Sequence, residues 1–139
     1  MIDLNARRTR LAAAWSLTDA CVVVGAGSPV AIPGGADQTY PFLAHSEYLW
    51  LAGHETPESV LAFDPRDGWT DFVPAVTQAE RVWEGRSTSR GTPREGLAGW
   101  LAARKGRPLA MLGCPVAGVT DDAGLTTQLR ETLMQVRRP

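Results

Sequence analysis

A chain of 139 residues is the length of one compact domain, and a composition 44% hydrophobic and 21% charged supplies a core without disulfide or metal staples. The formal net charge of −1 excludes global attraction to nucleic acid or to an anionic membrane. No apolar run reaches the length of a bilayer span, and the polar start through Arg7 and Arg8 lacks the apolar stretch of a signal peptide, so a cytoplasmic protein is expected.

In chain order, Leu4, Leu11 and Trp15 recur at helical spacing and predict a helix from Asn5 to Trp15 with a basic outer face. Ala20 to Gly25 is a continuous β-branched run, the pattern of a strand covered on both faces. Residues 26–39, rich in Gly and Pro, predict a long loop. Glu47 to Ala52, aromatic and aliphatic and closed by Gly53, reads as a second strand. Ser59 to Phe63 and Trp69 to Val73 flank Asp64-Pro65-Arg66-Asp67-Gly68, whose Pro and Asp-Gly chemistry predicts a turn and hence an antiparallel hairpin. Two helix starts follow. Thr77 with Glu80 fits a capping box, and Thr92-Pro93-Arg94-Glu95 repeats it with Pro at the first helical position, predicting a helix that stops at Gly106. Leu109 to Leu112 is a short buried strand, and Leu125, Leu129, Leu133 and Val136 stripe a last helix. The fold class expected is α/β, a mixed β-sheet of about five to six strands flanked by helices, with residues 1–139 forming one domain.

Recognisable catalytic chemistry is missing. Gly25-Ala26-Gly27 follows a strand, but Val30 stands where a dinucleotide-binding fingerprint needs a small residue, and Pro29 and Pro33 prevent a clean helix start; a structural loop is the better reading. His45 and His54 fit no metal-ligand spacing, and the acids are scattered through turns and caps. Cys21 and Cys114 border apolar runs and read as core residues rather than a disulfide. Of five tryptophans, Trp15, Trp69 and Trp100 read as core, whereas Trp50 and Trp83 adjoin polar segments and suit either core or an interface.

One stretch is more specific. Asp37-Gln38-Thr39-Tyr40-Pro41-Phe42-Leu43-Ala44-His45-Ser46-Glu47-Tyr48-Leu49-Trp50-Leu51-Ala52-Gly53 resembles the N-terminal domain of aminopeptidase P and its prolidase and creatinase relatives. That domain carries an Asp-x-x-Tyr-Pro-aromatic-Arg segment, then Ser-Asp/Glu-aromatic-x-Tyr/Leu-Thr-Gly, a Glu-Pro turn and an apolar strand. Here Glu55-Thr56-Pro57-Glu58 and Val60 to Phe63 answer the last two; Glu80 to Arg86 resembles the family's Glu-x-Ile/Val-Trp-x-Gly-Arg, and Arg7-Arg8-Thr9-Arg10-Leu11 its opening helix.

The resemblance implies a creatinase/prolidase N-terminal fold with a ribonuclease H-like motif, and no catalysis by this chain alone. The dinuclear metal site (Mn, Co or Zn) and its ligands belong, in that family, to a C-terminal pita-bread domain, which would cleave the bond before proline with a metal-activated hydroxide. The partners implied are that catalytic domain, neighbouring subunits of a homo-oligomer and proline-containing peptides, with no nucleic acid and no membrane. By motif position Trp83 would line the substrate pocket, where a flat indole packs on a pyrrolidine ring, and Asp37 would face the substrate's N-terminal end. His45 and Tyr40 border the same loop and are further candidates. Leu43 stands in place of the family's Arg and Ala52 in place of its Thr, which leaves the preference between dipeptides and longer peptides open. The alternative is a stand-alone interaction domain of the same fold without a peptidase partner.

Overall fold

The structure, a computed structural model, describes residues 2–74 and 91–138. Among them the elements are α1 (Leu4–Trp15), β1 (Cys21–Gly25), α2 (Ser46–Ala52), β2 (Val60–Asp64), β3 (Gly68–Val73), β4 (Thr92–Pro93), α3 (Gly96–Ala102), β5 (Leu109–Gly113) and α4 (Ala123–Arg137). The strands form one sheet in the order β4-β3-β2-β1-β5. The β1–β2 and β2–β3 pairs are antiparallel and the β1–β5 and β3–β4 pairs parallel, so the sheet is mixed, as the sequence predicts.

Both faces of β1 are covered. Val22 and Val24 point into a core built with Leu11 and Trp15 of α1, Tyr48 and Leu51 of α2, and Leu129 and Leu133 of α4. Val23 points the other way, toward Val60, Ala62, Phe72, Leu97 and Val116. Burying each valine or leucine contributes roughly 1.5–3 kcal/mol, so this central strand anchors two cores at once. The β2–β3 hairpin pairs from Val60 opposite Phe72 to Asp64 opposite Gly68, and Gly68 closes it at φ 87°, a conformation that favours glycine.

Two elements differ from expectation. Glu47 to Ala52 is helical, not extended. The His45 Nδ1 accepts the Glu47 N–H at 3.1 Å, Gly53 takes the left-handed conformation (φ 78°), and its N–H closes on the Leu49 carbonyl at 2.9 Å. Tyr48, Leu51 and Ala52 are all buried, the spacing of one helical face, whereas Leu49 is exposed. Such a short apolar run is ambiguous by periodicity, and packing beneath α1 decides it. Thr92–Pro93, expected to start a helix, instead pairs with Phe72 and Val73, and the Arg94 N–H donates to the Val73 carbonyl at 2.8 Å. A residue before proline is pushed toward extended backbone, and proline suits a sheet edge, so α3 starts only at Gly96 and without a side-chain cap. The strand count therefore agrees with expectation while the membership does not. The capping box at Thr77 lies outside the described residues.

The sheet's β5 edge is closed by side chains and a loop. The Met111 N–H donates to Thr126 Oγ1 at 3.0 Å, the Gly113 N–H to Glu47 Oε1 at 2.6 Å, and the Leu109 carbonyl accepts the Asp122 N–H at 2.8 Å. Filling these edge groups blocks pairing with a foreign strand. Gly25 is needed for a related reason: a Cβ there would lie 2.3 Å from the Cys114 carbonyl oxygen, and at Gly27 (φ 104°) 2.9 Å from Cys114 Sγ. The glycines at the end of β1 thus serve close backbone packing, the structural alternative to a nucleotide loop. Gly25→Ala is expected to cost about 2–3 kcal/mol, read as a lower urea midpoint at unchanged slope.

Candidate functional site

The segment that carries the candidate residues leaves the end of β1 and returns to α2 as a pinched lobe. Its neck is closed by the His45 N–H donating to the Ala26 carbonyl at 3.0 Å. Further out, Tyr40 N–H to Val30 O (2.9 Å) and Ile32 N–H to Gln38 O (3.1 Å) hold its two limbs together, with Ala31 and Thr39 bridged between them. Phe42 turns inward and packs against the core beneath α1 and α2. Three other large apolar side chains of the lobe face water: Val30 is 65%, Tyr40 50% and Leu43 80% exposed, while Ile32 is half-buried. Asp37 lies exposed in the tip turn, directly after Ala36, whose φ of 54° is strained for a residue with a Cβ.

Asp37 and Tyr40 therefore share one exposed lobe. His45 stands at its base with a structural task, capping α2 through Nδ1, 3.8 Å from Glu47 Oε1. Glu47 itself is buried, accepting the Gly113 N–H and both Nε (2.9 Å) and Nη2 (3.1 Å) of Arg130. Burial pushes its carboxyl up, but the Arg130 and Gly113 hydrogen bonds outweigh that and hold it below its ordinary value. Trp83 lies outside the described residues.

Two polar clusters escaped the sequence reading. In the first, the buried Tyr48 hydroxyl donates to Asp71 Oδ1 at 2.8 Å and His54 Nε2 stands 2.6 Å from Asp71 Oδ2. Because the Thr56 N–H donates to His54 Nδ1 (3.3 Å), the neutral ring carries its proton on Nε2 and donates to Asp71. Burial, reinforced by the Asp71 carboxylate, pushes the Tyr48 hydroxyl well above its ordinary value, so it remains a donor. In the second, the buried Asp64 binds Arg104 and Arg107 and ties the hairpin turn to the α3–β5 connection. Nothing in local spacing announces either cluster, since the partners lie 17 to 43 residues apart. At the Cys21 end of β1, away from the lobe, Leu97, Trp100, Leu101, Leu109 and Val119 line a cleft of about 750 Å³.

Among the described residues no three His, Cys, Asp or Glu side chains converge to hold a metal ion. No helix there is long and apolar enough to cross a membrane.

Comparison with known proteins agrees with this architecture. The family profile of the aminopeptidase P N-terminal domain matches residues 4–96. The chain belongs to that family. No curated protein sequence matches it. Among solved structures it is similar to one described as an aminopeptidase P from Bacillus anthracis (TM-score 0.61, 16% identity), covering 92% of this chain and 35% of that one. It is also similar to zinc-substituted E. coli aminopeptidase P in complex with product (TM-score 0.59, 16% identity, covering 96% and 33%). The same enzyme with the inhibitor Pro-Leu gives TM-score 0.58 at 17% identity, covering 96% and 34%. This chain thus spans about a third of the length of the solved structures it resembles.

Proposed function

We propose that this chain is the non-catalytic N-terminal domain of an Xaa-Pro peptidase, and that its 26–45 lobe walls a substrate pocket whose reacting groups lie in a separate catalytic domain. Family membership supports the class of parent protein. The observation that carries the pocket-wall reading is the lobe itself. Val30, Tyr40 and Leu43 stand half or more exposed along the lobe, with Asp37 in its tip turn and Phe42 packed inward as its anchor. Water is a poor environment for such a surface, and a neighbouring domain or an apolar peptide side chain would cover it. An exposed carboxylate there suits the free amine of a peptide. Trp83 retains its place as a pocket indole on the resemblance alone, and contacts between subunits are part of the same reading. The similar E. coli enzyme is seen with Pro-Leu, and proline-containing peptides are the ligand class proposed here. Divalent metal chemistry is assigned to the catalytic domain on the resemblance alone.

The test uses the full-length parent with Tyr40→Ser and Trp83→Ala. Each is expected to lower kcat/KM for an Xaa-Pro peptide about tenfold, equivalent to ~1.4 kcal/mol, with Tm nearly unchanged. A fall in Tm with unaltered activity per folded molecule would assign these side chains to packing and overturn the pocket-wall role. A parent without any metal-ligand domain would leave the stand-alone interaction domain.

A further inference from the structure

The lobe does not account for the opposite charge feature of the molecule, an arginine-rich face shared by α1, α2 and α4. Arg7 lies over the Trp50 ring with its guanidinium carbon 4.7 Å from the ring centroid, and Arg137 approaches the same indole at 6.0 Å. Arg7 Nη1 donates to the Trp50 carbonyl (2.9 Å), Arg8 Nε to the Leu51 carbonyl (2.8 Å) and Arg10 Nη2 to the Val136 carbonyl (3.4 Å). These bonds satisfy the C-terminal carbonyls of α2 and α4, but a neutral carbonyl cancels no charge, and each guanidinium keeps further donors. Arg66, Arg104, Arg107 and Arg130 are all paired with carboxylates. Arg7, Arg8, Arg10, Arg137 and Arg138 make no ion pair among the described residues. Two of these cations, Arg7 and Arg137, meet at the half-buried Trp50, and Arg8 and Arg10 bond the ends of the same two helices, in a chain whose net charge is −1. Met134, 56% exposed, lies one turn before Arg137 on the same face of α4, and Arg138 follows as the helix's C-cap.

We propose that this face, centred on Trp50, docks an acidic segment of a protein partner, independently of the lobe. Guanidinium forks match carboxylates in bidentate geometry, and an incoming anion relieves the repulsion between neighbouring like charges. Trp50 and Met134 supply the apolar contact that a purely electrostatic patch lacks. The short basic track and the single indole on the face argue against a nucleic-acid strand, which needs a longer basic track with successive stacking platforms.

The 139-residue chain would be titrated with a decaglutamate peptide while the Trp50 indole N–H resonance is followed, with decathymidylate as the competing polyanion. A saturable shift is expected, weakening with salt and reduced about tenfold in affinity by Arg7→Gln combined with Arg137→Gln. Arg137→Gln with Arg138→Gln, at exposed positions of the last turn, should weaken binding comparably and leave the fold intact. Lys105→Gln, an exposed cation on the α3–β5 connection, should change nothing. Equal affinity in the arginine variants, an equal loss in Lys105→Gln, or tighter binding of decathymidylate would each overturn the proposal.

Discussion

Replacing Asp64 by alanine is expected to lower the unfolding free energy by about 3 kcal/mol and Tm by roughly 10 °C. Asp64 is 1% exposed and accepts four hydrogen bonds: Arg107 Nη1 (2.9 Å) and Nη2 (3.0 Å), Arg104 Nε (2.6 Å) and the Arg66 N–H (2.9 Å). Removing it strands two guanidiniums whose side chains are only 14% and 16% exposed. The loss stays at the lower end of the range for breaking a buried pair, about 3–5 kcal/mol, because Arg104 keeps Asp67 and Arg107 keeps Asp19. Above all the Arg107 hydrogen bonds hold the Asp64 carboxyl well below the ordinary range, and they raise Arg107 in return. A depressed carboxylate contributes stability that is complete above the unfolded value of about 3.9 and is lost as pH falls toward the folded one. The gap between wild type and Asp64→Ala should therefore be flat from neutral pH down to about 5 and shrink below about 4. Urea midpoints measured across that range check it; a gap that persists undiminished at low pH would place its origin in packing.

Glu47→Ala should cost about 2–3 kcal/mol. Arg130, 39% exposed, can return to water, so the larger part of the loss comes from the Gly113 N–H on the β5 edge. Glu47→Gln keeps an acceptor at that position and should cost about 1 kcal/mol. Amide exchange separates the two effects, since Gly113 should lose protection in the alanine variant and retain most of it in the glutamine variant. Equal protection in both would mean that another acceptor closes the edge. Glu47 is also depressed, so this contribution too fades only on the acid side.

These two carboxylates also mark where a linear reading stops. Asp64 read as a turn residue, which it is, and its hydrogen bond to the Arg66 amide is the local part of its role. Its partners Arg104 and Arg107 lie 40 and 43 residues away, and no pattern in the intervening sequence links them. Glu47 sits in an apolar run that reads as a strand and folds as a helix, and its contact with Arg130 spans 83 residues. The signals that could have corrected α2 were local: an acid in the first turn and Gly53 as a left-handed terminator. Of the candidate site, Gly and Pro mark residues 26–39 as a loop, and Asp37 and Tyr40 stand out only through the family motif. His45 proved to be a helix cap, and the His54–Asp71–Tyr48 cluster came only with the hairpin's placement against α2.

What the sequence determined by itself was the periodic framework and the family. The valines of β1, the Pro-Asp-Gly hairpin turn and the leucine stripe of α4 carry their conformations in local spacing and turn residues, because burial on one face or two imposes a period. Tertiary structure decided what local free energies leave nearly balanced. It placed Glu47 to Ala52 in a helix rather than a strand, gave Thr92–Pro93 to the sheet edge, and chose which charges meet. Those choices depend on contacts between distant segments, and burial makes each such contact worth as much as the local preferences it overrides.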